Sequence, residues 1–189
     1  YAKFLYHVLD DGTAVRYPVG VGRAGKSFTG DGIIQLKKKW PGWTATANML
    51  RTEPDVYGPF ARGIPGGLRS PLGAAALYLY RNGRDTYYRI HGTNDLGSIG
   101  NSGSAGCIRM FNQDILHLYD AVPTGVKVHV RSEAESLRVD PENYLRGIEL
   151  PAKHIDPDAI YGEEAIANDR PPDFDAVDPN TLITIVGSN

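Results

Sequence analysis

Three observations predict a mainly β domain with one or two helices. Short segments of alternating apolar and polar residues recur through the first 130 positions, bounded by glycine-, asparagine- and aspartate-containing turns. Only one segment there has a clear helical period. A stretch rich in proline and glycine interrupts the pattern between residues 37 and 68, and composition shifts again after Arg131.

Taken in order, Tyr1–Leu9 and Ala14–Val21 flank Asp10-Asp11-Gly12 and read as a hairpin. The irregular stretch at about 37–68 gathers Trp40, Trp43, Tyr57 and Phe60 and reads as a lid insertion, with a short helix over 44–51. Ala75–Tyr80 and Thr86–His91 flank Asn82-Gly83, a strong two-residue hairpin signal. In the second of these strands Tyr87, Arg89 and His91 are expected on one face, Tyr88 and Ile90 on the other. Asn112 is placed to cap a helix, with Asp114 in its first turn and Pro123 beyond its end. Ile115, Leu118, Tyr119 and Val122 form that helix's apolar stripe and are assigned to the core. Val126, Val128 and Val130 alternate with charged residues as a half-buried strand. The domain is drawn as residues 1–131, followed by an acidic, proline-rich extension over 132–189 with a last apolar run at 182–186.

The 189-residue chain suffices for one core plus an extension, and no apolar run approaches the ~18 residues that span a bilayer. Residues 1–130 carry 15 Lys+Arg against 9 Asp+Glu, whereas residues 131–189 carry 5 against 13. A solubilising acidic tail explains the asymmetry most simply; contact between a basic body and an anionic polymer is the sharper alternative. A single cysteine excludes an intrachain disulfide and a multi-cysteine zinc site. No metal-ligand spacing, phosphate loop or nucleic-acid signature is present, so neither metal nor cofactor is expected.

Chemistry concentrates in one segment. His91 ends a strand, a glycine-rich turn follows, and Cys107 lies sixteen positions later, ahead of the helix. A thiol has an ordinary pKa of about 8.5, so it needs a base or a cationic neighbour to act as a nucleophile near neutral pH. A facing imidazole supplies that base, and a helix N-terminus would favour the anion further. Backbone N–H groups at Gly106 and Cys107 suit an oxyanion hole. Singly, each signal is weak: a lone cysteine is most often a small buried hydrophobe, and a lone histidine is often structural.

Together, His91-Gly92-Thr93, Ser104-Ala105-Gly106-Cys107-Ile108-Arg109-Met110, Asn112 and Asp114 resemble the signature of YkuD-type L,D-transpeptidases. Ser70-Pro71-Leu72-Gly73 resembles that family's upstream Pro-Leu-Gly element. The resemblance implies a β-sandwich or barrel-type catalytic domain acting on peptidoglycan stem peptides in the periplasm or cell envelope, its targeting peptide trimmed, and a target for carbapenems. It implies Cys107 as nucleophile, His91 as base and the Gly92 carbonyl as the group that orients the imidazole. Gly106, Ser104 and Ala105 would form the oxyanion loop. Arg109, Asn112, Thr93, Trp40 and Trp43 would contact substrate, with Arg109 and Asn112 also shaping the loop. Ala105 stands where the family usually has histidine, which throws the base role onto His91.

The expected reaction is acylation of Cys107 by a stem tetrapeptide with loss of D-Ala, then transfer to an amine of a second stem or of a wall-anchored protein. Water as acceptor would make the enzyme an L,D-carboxypeptidase or amidase. A peptidoglycan-binding module without catalysis is the alternative from another class.

Overall fold

The computed structural model describes residues 2–22, 28–104 and 106–144. In chain order the strands are β1 (Phe4–Val8), β2 (Ala14–Pro18), β3 (Val21–Gly22) and β4 (Gly30–Lys39). Two short helices, α1 (Ala47–Thr52) and α2 (Pro54–Tyr57), follow in the lid. Then come β5 (Ala75–Arg81), β6 (Arg84–His91), β7 (Ser102–Ser104) and β8 (Ile108–Arg109). Helix α3 (Asn112–Ala121), β9 (Lys127–Val130) and α4 (Glu133–Val139) complete the described chain. The mainly β expectation holds. The expected strand at 182–186 and most of the acidic extension lie outside the described residues.

Five strands form the main sheet in the order β8-β6-β5-β4-β9, flanked by the two-stranded pairs β1–β2 and β3–β7. The β5–β6 hairpin turns on Asn82 and Gly83, both left-handed at φ 52° and 72°, as a two-residue turn matched to strand twist requires. Leu77, Leu79 and Ile90 from its inner face are at most 1% exposed. They meet Ile115, Leu118 and Val122 of the α3 stripe, with Tyr17 and Val19 from the β1–β2 side. Each such side chain contributes about 1.5–3 kcal/mol by leaving water. The core thus fixes the edge of β6 that carries His91.

Several expectations need correction. Strand β4 runs on to Lys39, pairing Lys39 with Ala75, so the lid begins later than residue 37. Its three lysines are usable in a strand because their heads leave the sheet: Lys37 Nζ donates to the Tyr119 and Val122 carbonyls, and Lys39 Nζ lies 3.5 Å from Asp120 Oδ1. Lys37 thereby satisfies carbonyls at the C-terminal end of α3. Asn112 does not cap α3, because Phe111 holds the cap position and the Asn112 side chain is engaged elsewhere. The alternation in β6 breaks at Tyr87, where a bulge opposite Leu79 puts the residue at φ 63° and leaves it 73% exposed. Helix α4 lies within the expected extension. Ser132 and Glu135 close a capping box around its start, and Tyr6 Oη donates to Asp140 Oδ2 at 2.6 Å just past its end.

Candidate active site

The site is built on the pairing of β6 with β8. These strands run parallel, with Ile90 opposite Ile108 and His91 opposite Arg109. Directly opposed residues of a parallel pair share a face, and faces alternate along each strand. His91 and Arg109 therefore share a face, with Arg89 on the same face two residues earlier, while Ile90 and Ile108 turn to the core. Cys107 immediately precedes β8, two residues before the partner of His91. Met110 N–H donates to the His91 carbonyl at 2.8 Å, and Arg109 exchanges backbone bonds with Gly20, so the 107–110 segment is held from both sides.

His91 is 5% exposed, and its Nδ1 lies 2.5 Å from the Gly92 carbonyl oxygen. That bond places the proton on Nδ1 and leaves Nε2 as the free acceptor in the neutral ring. Burial pushes the imidazole down to about 4, with the Gly92 carbonyl opposing and the Arg109 and Arg89 guanidinium groups adding to the effect. At neutral pH the ring is an uncharged base.

Burial also pushes the Cys107 thiol up; the Arg89 backbone N–H and the guanidinium groups of Arg89 and Arg109 act the other way. Cys107 Sγ makes a long contact of 3.9 Å to the Tyr87 carbonyl. The helix N-terminus expected beside the thiol is not its neighbour in sequence, since β8 intervenes and α3 begins only at Asn112. Cationic side chains take that place. Burial thus favours the neutral form of both the thiol and the imidazole.

Arg89 is the residue that the sequence pattern put on this face without assigning it a role. It makes a bidentate pair with Asp85 at 2.7 Å for both bonds, and its guanidinium carbon lies 4.3 Å from the centre of the Tyr78 ring. Burial raises the Asp85 carboxyl, and the bonds and charge of Arg89 together with the Tyr87 N–H outweigh it, leaving the group below its usual range. The bulge at Tyr87 makes this pairing possible, and its only sequence trace is Asp85 four residues before Arg89.

The remaining expected residues divide. Arg109 pairs with Asp95 at 3.3 Å and stays partly exposed. Gly106 is buried against Gly22, where an added Cβ would lie 2.6 Å from Gly106 Cα. Thr93, expected to touch substrate, is 1% exposed, and its Oγ1 accepts from Asp95 N–H at 3.0 Å. Asn112 is likewise turned inward, accepting from the Ala74 and Thr93 N–H groups. The Trp40 backbone N–H donates to the Ala74 carbonyl, and Trp43 pairs with Ile64 and sets its ring at a tilt against Tyr57, so both tryptophans stand at the base of the lid. Ser70 is fully buried, with Oγ donating to the Pro41 carbonyl at 2.8 Å, which ties the Pro-Leu-Gly element to the same base. Ala105 and the Ser104 side chain lie outside the described residues.

Comparison with known proteins decides the family. The profile of the YkuD L,D-transpeptidase catalytic domain matches residues 1–130. The chain belongs to the YkuD family. ErfK/SrfK of Escherichia coli K12, a probable L,D-transpeptidase, is 32% identical over 142 residues, covering 74% of this chain and 44% of that protein. YkuD of Bacillus subtilis is 34% identical over 124 residues, covering 65% and 70%. The chain thus spans less than half of the Escherichia coli relative. An L,D-transpeptidase structure from Mycobacterium smegmatis shares the fold at a TM-score of 0.50, with 18% identity over 69% of this chain and 55% of that one. Among the described residues, no helix of this YkuD domain is long and apolar enough to cross a membrane.

Proposed function

We propose that the chain is a peptidoglycan L,D-transpeptidase of the cell envelope, with Cys107 as nucleophile and His91 as general base. The observation that carries this reading is the parallel β6–β8 pairing, which opposes His91 to Arg109 two residues past Cys107, with His91 Nδ1 committed to Gly92 and Nε2 left to accept. The thiol proton passes to Nε2 as sulfur bonds to the carbonyl carbon of the third stem residue. Backbone N–H groups of the Gly106–Cys107 turn hold the oxyanion. Collapse expels D-Ala, whose amine takes the proton back from Nε2, and leaves a thioester. An amine of a second stem, or of a wall-bound protein, then attacks the thioester, gives its proton to Nε2 and releases the thiol. Arg109, beside the nucleophile, is the candidate for a donor carboxylate, and Trp40 and Trp43 for the groove wall under the lid.

Incubation with disaccharide-tetrapeptide tests the proposal by mass spectrometry. Wild type is expected to form dimer with release of D-Ala, and Cys107→Ala none. Tripeptide without dimer would assign water as the acceptor. Unaltered substrate with wild type, or dimer from Cys107→Ala, would end the proposal. A carbapenem adduct on wild type alone would mark the acylated residue.

A further inference from the structure

We propose that Asn112 is a positioning residue that aims the His91 imidazole through the peptide unit joining Gly92 to Thr93. This rests on the catalytic reading above and adds a member to its proton chain. The Gly92 carbonyl accepts from His91 Nδ1, and the N–H of the same peptide, on Thr93, donates to Asn112 Oδ1 at 3.2 Å. A trans peptide is planar, with its C=O and N–H pointing in opposite directions, so pinning the N–H fixes where the C=O points. Hydrogen bonds in line through one amide also polarise each other. The chain therefore runs imidazole, peptide, amide oxygen, where other thiol enzymes would place a side chain directly on the ring.

The surroundings show a slot fitted to this oxygen. Asn112 Oδ1 accepts a second bond from Ala74 N–H at 3.0 Å, joining the start of β5 to the end of β6. A Cβ added at Gly73 or at Gly92 would stand 2.2 Å from Oδ1, so both positions must lack a side chain for the amide to enter. Asn112 is the first residue of α3, whose Ile115 and Leu118 are anchored in the core, so the oxygen sits on a rigid support. Neither rival role fits: the side chain does not cap the helix, and its oxygen is occupied by two backbone donors instead of facing substrate.

The test uses the whole chain, whose single cysteine makes alkylation by iodoacetamide a clean reading of Cys107 against pH. Imidazole ¹⁵N NMR reads the His91 tautomer, and thermal unfolding reads the fold. Asn112→Ala is expected to slow alkylation near neutral pH by roughly 10-fold and to mix the two ring tautomers, because a misaimed base loses part of its effect. Asn112→Asp keeps both acceptor bonds and adds charge, and should move the acid limb of the profile upward by about one unit. A lowered melting temperature with wild-type pH profile and Nδ1–H tautomer in both variants would overturn the inference. Should Asn112→Ala not fold, an unchanged profile in Asn112→Asp overturns it alone. None of these readings needs turnover. Absence of stem-peptide dimer would therefore defeat the proposed function, while the pH profile and the tautomer alone decide the role of Asn112.

Discussion

His91 and His129 stand near opposite edges of one five-stranded sheet, and their surroundings drive them in opposite directions. His91, on β6 beside the edge strand β8, is buried, bonded to one carbonyl and flanked by two arginines; burial pushes it down to about 4. His129, on the other edge strand β9, is exposed between Asp31 Oδ1 at 2.6 Å and Glu135 Oε1 at 3.3 Å. The hydrogen bond to Asp31 leads in raising it, with Glu135 adding. The same ring is thus held toward its neutral form at one edge and drawn toward its protonated form at the other. What separates them is access to water and the sign of the nearest charges, not their strand context.

The largest effect that can break this comparison is on chemistry. His91→Asn is expected to lower the rate of Cys107 acylation by about 10³-fold, the size of a general-base contribution, while His129→Gln leaves it unchanged. Equal losses in both, measured as carbapenem adduct formation against time, would show that the two environments do not differ as described.

Next comes acid stability. The folded pKa of His91 is depressed from 6.5 to about 4, so the unfolded chain binds its proton first as pH falls. The stabilisation is complete above pH 6.5 and is lost on the way down to about pH 4, a change on the order of 3 kcal/mol. Denaturant titrations of wild type and His91→Asn between these pH values should show the wild type losing more stability. Parallel curves would contradict the burial-driven shift.

The smallest effect has the opposite sign. With its folded pKa raised, His129 stabilises fully below the unfolded value near 6.5 and loses that stabilisation as pH rises through the higher folded value. Both partners are solvent-screened, so the clasp is weak. Its removal in His129→Gln should lower the melting temperature slightly, and more at pH 6 than at pH 9, as differential scanning fluorimetry would show.

Local chemistry is readable where local forces decide. Asn82-Gly83 specifies a hairpin because few residues tolerate two successive left-handed conformations, and the α3 stripe specifies its buried face by period alone. The motif around His91 and Cys107 points to a site because those residue types cluster in a sequence for few other reasons. Gly92 is expected as the ring's acceptor, and the Nδ1 contact places it there. Asn112 reads as a cap because Asn is favoured at that position, and nothing local shows that two backbone N–H groups from other segments claim its oxygen. Arg89 escapes assignment because its partner, Asp85, comes into range only through the bulge at Tyr87.

By itself, then, the sequence determined the turns, the faces of the hairpin strands and the chemical types gathered at the site, since these follow from backbone preferences and side-chain period. Only the tertiary structure decided that β8 lies parallel to β6, which sets His91 opposite Arg109 and brings Cys107 to the edge of β6. A parallel pairing closes a loop without any turn signature, and its register is chosen by core packing of Ile90 and Ile108. The same burial that fixes this register also removes water from His91, so its basicity belongs to the fold rather than to the residue.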